Sequence, residues 1–191
     1  MNTTLSAGFA DPVTDAQHCF RAVLEAMSRP GTVLRVGVEQ PPPGVSPAAA
    51  AVMLSLVDHE TPLWLDPVAE AAWDWIAFHC GAPRATEIAG AQFALASSLP
   101  DLTGLNPGTH EMPETSTTVI AEVASLSAGH CYRLSGPGLR VPKIIAVDGL
   151  PGDFVESWRR NHALYPCGVD LILCAGDMVT ALPRSVAIEE A

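Results

Sequence analysis

The run Ala48 to Val57 is apolar nearly all round, and this constrains the chain more than any other feature. Ser46-Pro47 opens it as a helix: a serine that can cap, then a proline whose fixed φ suits the first turn. A helix without a polar face needs neighbours on several sides. The remaining elements therefore have to enclose it.

The helix before it is predicted from Asp15, which can cap, and from Ala16, Phe20, Val23, Leu24 and Met27 at helical spacing. That spacing predicts those five residues as the core face, with Arg21 and Glu25 on the wet side. Arg29-Pro30-Gly31 stops the helix, and β-branched Thr32 to Val38 reads as a strand. Gln40 to Gly44 is a stiff, exposed loop rather than a domain linker. Asp58 to Pro62 is a polar turn before a short strand, Leu63-Trp64-Leu65. Asp66-Pro67 starts a third helix with an apolar stripe of Val68, Ala72, Trp75 and Ile76, which His79 joins; Gly81 ends it.

Further strands are predicted at Gln92–Ala96, Thr117–Val123 and His130–Leu134, the first two separated by a Pro/Gly/Asn-rich loop from Pro100 to Pro113. Ser135-Gly136-Pro137-Gly138 is a turn. Asp153 caps a helix carrying Val155, Trp158 and His162. Val169–Cys174 and Met178–Leu182 pair as a hairpin around Gly176-Asp177. Helices and strands mix without strict βαβ alternation, which points to an α/β fold with a mixed sheet flanked by helices. The expected organisation is one domain over residues 1–191.

Charge narrows the partners. A formal net charge of −11 from 10 basic and 21 acidic residues argues against nucleic acid. Charged residues are 16% of the chain, below the ~25% usual for soluble domains, which reads either as a surface partly covered by another chain or as an alanine-rich coding bias. Met1 to Ala10 shows no signal peptide, and no apolar run is long enough to cross a membrane. The five scattered cysteines read as reduced, mostly buried thiols. The expectation is a cytoplasmic protein without a membrane partner.

Standard catalytic signatures are missing: there is neither a G-x-x-x-x-G-K-[ST] loop nor a G-x-S-x-G elbow. Gly136 and Gly138 begin a dinucleotide fingerprint that fails at Val141, so a turn is the better reading. His18-Cys19, His79-Cys80 and His130-Cys131 are adjacent pairs whose side chains diverge, so no metal is expected. His79 on an apolar stripe reads first as a hydrogen-bonded core histidine. Asp170, inside the apolar run 169–173, costs several kcal/mol unless paired or protonated. Arg184 is the tempting partner, but hairpin register sets Asp170 opposite Pro183, so the two meet only through a bulge or bend. Arg29, at the first helix break, is a candidate anion contact or interface anchor, or a solvated loop charge.

Several segments in one order resemble a known family. Asp15-Ala16-Gln17, Phe20-Arg21 and Ala26-Met27-Ser28-Arg29-Pro30-Gly31 form its opening. Asp58-His59-Glu60-Thr61-Pro62-Leu63-Trp64-Leu65 is similar to its D-x-x-T-P-x-W-L segment, and Phe78-His79 with Ala82-Pro83 to its F-H-x-x-A-P element. Pro113-Glu114, Leu134 to Gly138, Tyr165 to Leu173 and Leu182-Pro183-Arg184 complete the pattern over about residues 9–185. It resembles the PhnH family, the H subunit of bacterial carbon–phosphorus lyase.

The resemblance implies a fold like the large domain of pyridoxal-phosphate-dependent transferases, without the cofactor. A Schiff base needs a lysine, and Lys143 is the only one. The resemblance further implies work with the G, I and L subunits in attaching ribose triphosphate from ATP to an alkylphosphonate. G, I and J are the implied core partners, and the isolated subunit is expected to be a homodimer. It supplies no catalytic residue. Asp58, Thr61, Trp64, His79, Asp170 and Arg184 match its recurring positions, where recurrence can reflect folding or docking.

Three functions follow as expectations. The first is an accessory or structural subunit. The second is a free-standing transferase or hydrolase, which requires Asp58, His79 and Asp170 to converge in one pocket. The third is a module binding nucleotide or phosphonate, which requires a cleft containing Arg29 or Arg184 and, with Thr61 and Trp64, a contact surface.

Overall fold

The computed structural model describes residues 6–191, so the first half of the Met1–Ala10 segment lies outside the described residues. The apolar helix α2 (Pro47–Leu56) forms as its sequence dictates: the Ser46 side chain accepts from Ala49 N at 3.1 Å, and Val57 closes it. Ala48 through Met53 are buried without exception. The neighbours this demands are helix α1 (Pro12–Ser28) on one side, helix α3 (Trp73–Cys80) on another, and a six-stranded sheet beneath.

That sheet runs in the order β1-β8-β7-β4-β3-β2. Its strands are β1 (Leu34–Arg35), β2 (Leu63–Leu65), β3 (Phe93–Ala96), β4 (Thr118–Glu122), β7 (Asp170–Ala175) and β8 (Met178–Leu182). β2, β3, β4 and β7 are parallel neighbours, while β8 runs antiparallel to both β7 and β1. A sheet buried on both faces needs strands apolar throughout. In β7, Ile172 and Cys174 point to the core under the helices, and Leu171 and Leu173 to a second core on the opposite face.

The second core is closed by a three-stranded sheet of β5 (Ser125–Ser135), β6 (Lys143–Asp148) and β9 (Ala187–Glu190), order β6-β5-β9, together with helix α4 (Phe154–His162). Trp158 of α4 is fully buried there and its Nε1 donates to Val186 O at 2.7 Å. The mixed α/β sheet is therefore helix-covered on one face and roofed largely by a second sheet on the other.

Several expectations need correction. The α1 cap is Asp11, whose side chain accepts from Thr14 N at 3.2 Å; Asp15 instead accepts from Asp11 N at 2.9 Å. The buried face of α1 is Cys19, Ala22, Val23 and Ala26, while Phe20 and Leu24 are 50% and 57% exposed. The strand expected over Thr32–Val38 shrinks to two residues, because β1 lies at the sheet edge against the short end of β8. The third helix begins as a tight 3₁₀ turn at Pro67–Ala72, which leaves Val68 facing solvent. Asp153 precedes α4 without a side-chain cap bond. β6 and β9 were not predicted.

Candidate functional site

The recurring residues settle in three separate places. Asp58 and Thr61 build the turn from α2 into β2. Thr61 Oγ1 accepts from Asp58 N at 2.7 Å and donates to Asp58 O at 2.9 Å, while Asp58 Oδ1 accepts from Glu60 N at 2.8 Å. The turn lies beside the end of α3: Asp58 adds to the burial that pushes the Cys80 thiol up to about 11. Trp64, in β2, turns into the second core.

His79 is half-buried, with Nε2 3.1 Å from Ser6 O; Trp75 Nε1 donates to the same carbonyl at 2.9 Å. The two rings stack at 4.5 Å between centroids. Both side chains thus strap the segment before α1 across α3. His79 is a hydrogen-bonded packing residue here, as its place on the apolar stripe suggests.

Asp170 and Arg184 do meet, correcting the register argument. β8 ends at Leu182, and Pro183 turns the chain so that Arg184 comes back over the start of β7. Arg184 N donates to Asp170 Oδ1 at 2.7 Å, and its Nε to both carboxylate oxygens at 3.1 and 3.2 Å. Nη1 donates to Pro113 O at 2.9 Å, and Nη2 to Asp170 and to the Ser116 hydroxyl. The side chains are 13% and 19% exposed. Every guanidinium nitrogen is engaged, so the pair locks strand β7, the β8 exit and the turn before β4.

Asp58 sits before β2 and Asp170 begins β7, three strand spacings away, which is about 14 Å. Asp58, His79 and Asp170 therefore do not converge. Arg29 pairs with Glu25 at 2.9 Å on the exposed end of α1. Five surface hollows of about 220 to 500 Å³ are lined by other residues, and neither Arg29 nor Arg184 is among them.

Two distant recurring segments also interlock. A Cβ on Gly138, where φ is +83°, would come within 2.2 Å of Ser28 O, and Gly31 packs under Ile145 and Leu134. Only glycine permits that approach, so Gly136-Pro137-Gly138 forms a turn seated on the end of α1, not a phosphate loop.

The C-terminal ends of the parallel strands, where α/β proteins commonly hold ligands, present other residues. Glu122 ends β4 and its Oε1 accepts from Ser46 N, at the start of α2, at 2.7 Å. Burial raises its carboxyl above the ordinary value, with the Ser46 hydrogen bonds opposing. Asp66 caps the turn after β2 and accepts from the Ser97 hydroxyl at 2.7 Å. Burial pushes its carboxyl up, but hydrogen bonds from Val68 and Ser97 outweigh that and hold it low. A hollow of about 360 Å³ opens nearby, lined by Ser125, Ser127, Ala175 and Met178 among others.

Sequence reasoning missed Glu122, although it carries the same signal as Asp170, a carboxylate inside an apolar run. It also missed Asn161, whose buried amide exchanges two hydrogen bonds with Val169 at 2.8 and 2.9 Å. Among the described residues, no cluster of three or more His, Cys, Asp or Glu side chains is placed to hold a metal ion.

Comparison with known proteins agrees with the motif pattern. A family model described as "Bacterial phosphonate metabolism protein (PhnH)" matches residues 7–189. The chain is 39% identical over 190 residues to "Alpha-D-ribose 1-methylphosphonate 5-triphosphate synthase subunit PhnH" of Rhizobium meliloti (strain 1021), covering 96% of this chain and 95% of that protein. It is 32% identical over 174 residues to "Putative C-P lyase subunit protein HtxG" of Stutzerimonas stutzeri, covering 90% and 85%. With recurring segments and overall length both accounted for, the chain belongs to the PhnH family of bacterial phosphonate metabolism proteins.

Proposed function

We propose that this chain is an accessory subunit of a carbon–phosphorus lyase assembly, acting with the G, I and L subunits to attach ribose triphosphate from ATP to an alkylphosphonate. The observation that carries the reading is the near full-length match to a synthase subunit. The geometry supports it: the residues a free-standing enzyme would need are spread over separate turns and locks, and Arg184 is saturated by its own fold.

In this reading the G, I and J subunits are the core partners, and the chain acts in the cytoplasm; no described helix is long and apolar enough to cross a membrane. The isolated chain forms a homodimer, a state to which the exposed apolar stripe of α1 lends support. The fold is of the kind found in the large domain of pyridoxal-phosphate-dependent transferases, and the chain needs neither that cofactor nor a metal.

A bacterium deleted for its own H subunit provides the test, with this chain expressed in its place. Growth on methylphosphonate as sole phosphorus source should return. No growth, from a chain shown to be folded and abundant in those cells, would overturn the reading.

A further inference from the structure

The chain's positive charge is unevenly spent. Of its 10 basic residues, Arg29, Arg35, Arg84, Arg159, Arg160 and Arg184 form ion pairs with its own carboxylates. Among the described residues, Arg21, Arg133, Arg140 and Lys143 form none. Three of those four lie on one feature, the β5–β6 hairpin, in a molecule of net charge −11.

The hairpin also carries apolar surface. Val141 and Ile144 are 72% and 64% exposed. Arg133 stands directly across from Ile144 in the β5–β6 register, and both face away from the core; Glu189 of β9 flanks Arg133 on its other side without an ion pair. Beyond β6 the sheet stops: its strand neighbour is β5, and the far edge has no strand paired to it among the described residues. An open edge bearing exposed apolar side chains is a template for another strand.

The kind of occupant follows from the shape and the charge. Arg133 and Arg140 are exposed on the hairpin, with half-buried Lys143 turned to Thr32 Oγ1, and neither arginine lines any of the five surface hollows, so a small anion would find no enclosure there. Nucleic acid would meet the acidic remainder of the molecule. An extended acidic polypeptide meets both the free edge and the cations.

We propose that the β6 edge receives an extended acidic segment of another subunit of the phosphonate-activating assembly, added as a fourth strand to the β6-β5-β9 sheet. Its carboxylates meet Arg133 and Arg140, and its apolar side chains cover Val141 and Ile144. The proposal rests on the subunit reading above.

The test is co-expression of the full chain with tagged G, I and J subunits, followed by affinity measurement and backbone hydrogen exchange on the purified complex. The double variant R133Q/R140Q and the single variant Ile144→Asp change exposed side chains and set no new carboxylate opposite Glu189, so their melting midpoints should match the parent. Each should weaken association at least about tenfold, and amides of residues 143–148 should gain protection in the parent complex. Arg21→Glu, an unpaired cation outside the hairpin, should leave association unchanged.

Parent-like association of both hairpin variants, or no gain in protection at β6, overturns the proposal and leaves the subunit reading intact. So does loss of a homodimer with subunit association preserved, which would make this edge a self-contact. A parent chain that binds none of the subunits removes both.

Discussion

Asp170 and Arg184 show how a residue that looks catalytic becomes structural. A carboxylate in a buried strand is tolerable only when its charge is met, and here a whole guanidinium meets it while also holding Pro113 and Ser116. Asp170→Ala leaves that guanidinium uncompensated, and chemical denaturation should show a loss of about 3 kcal/mol. Glu122 works with the opposite sign. Its raised carboxyl contributes stability that is present below the ordinary carboxylate value and is lost as pH climbs through the raised value. Glu122→Gln keeps an acceptor for Ser46 N and removes the buried charge. The variant should gain stability over the parent at neutral pH and lose that advantage on the acid side of the carboxylate range, as read from melting midpoints across pH.

Among the elements, α2 and β2 were legible residue by residue, because Ser46-Pro47 and the Asp58–Pro62 turn leave no alternative boundary. α1 was legible as a helix but not in its orientation. It is apolar on two adjoining faces, and periodicity cannot tell which meets the core. The smaller side chains, Cys19, Ala22 and Ala26, let α1 approach α2 closely, so the larger Phe20 and Leu24 are left outside. Replacing Phe20 and Leu24 by Ser should therefore change unfolding free energy in dilute monomer by no more than about 0.5 kcal/mol each. Ala26→Leu should cost about 2 kcal/mol by overpacking. β6 was hidden by Pro142 at its head, and β9 by its brevity and two outward glutamates. For the lock at β7, the register arithmetic was sound; what it lacked was the point where β8 ends, which Pro183 decides.

For the molecule as a whole, the sequence pattern carried the family and the α/β class, while the second sheet that roofs the lower core came only with the structure. That sheet also places the single lysine. Lys143 lies in β6, outside the sheet that holds the parallel strands, with Nζ 3.4 Å from Thr32 Oγ1. Added pyridoxal phosphate should therefore neither raise the melting midpoint nor give the absorbance of an internal Schiff base, which a titration followed by both readouts would check.

The order in which the chain leaves the ribosome sets a further condition. β7 occupies an interior slot between β4 and β8, yet 47 residues, from Val123 to Val169, separate it from β4. β1, near the start, pairs with β8 near the end, Leu34 against Val179. Until the last 22 residues of the chain are available, β4 has one bare edge and the residues that will flank it have no sheet to join. Folding of this protein must therefore be a late, long-range event. A nascent chain stalled before Asp170 exposes Ile120 and its apolar neighbours, and that is the species with which chaperones in the cell have to contend.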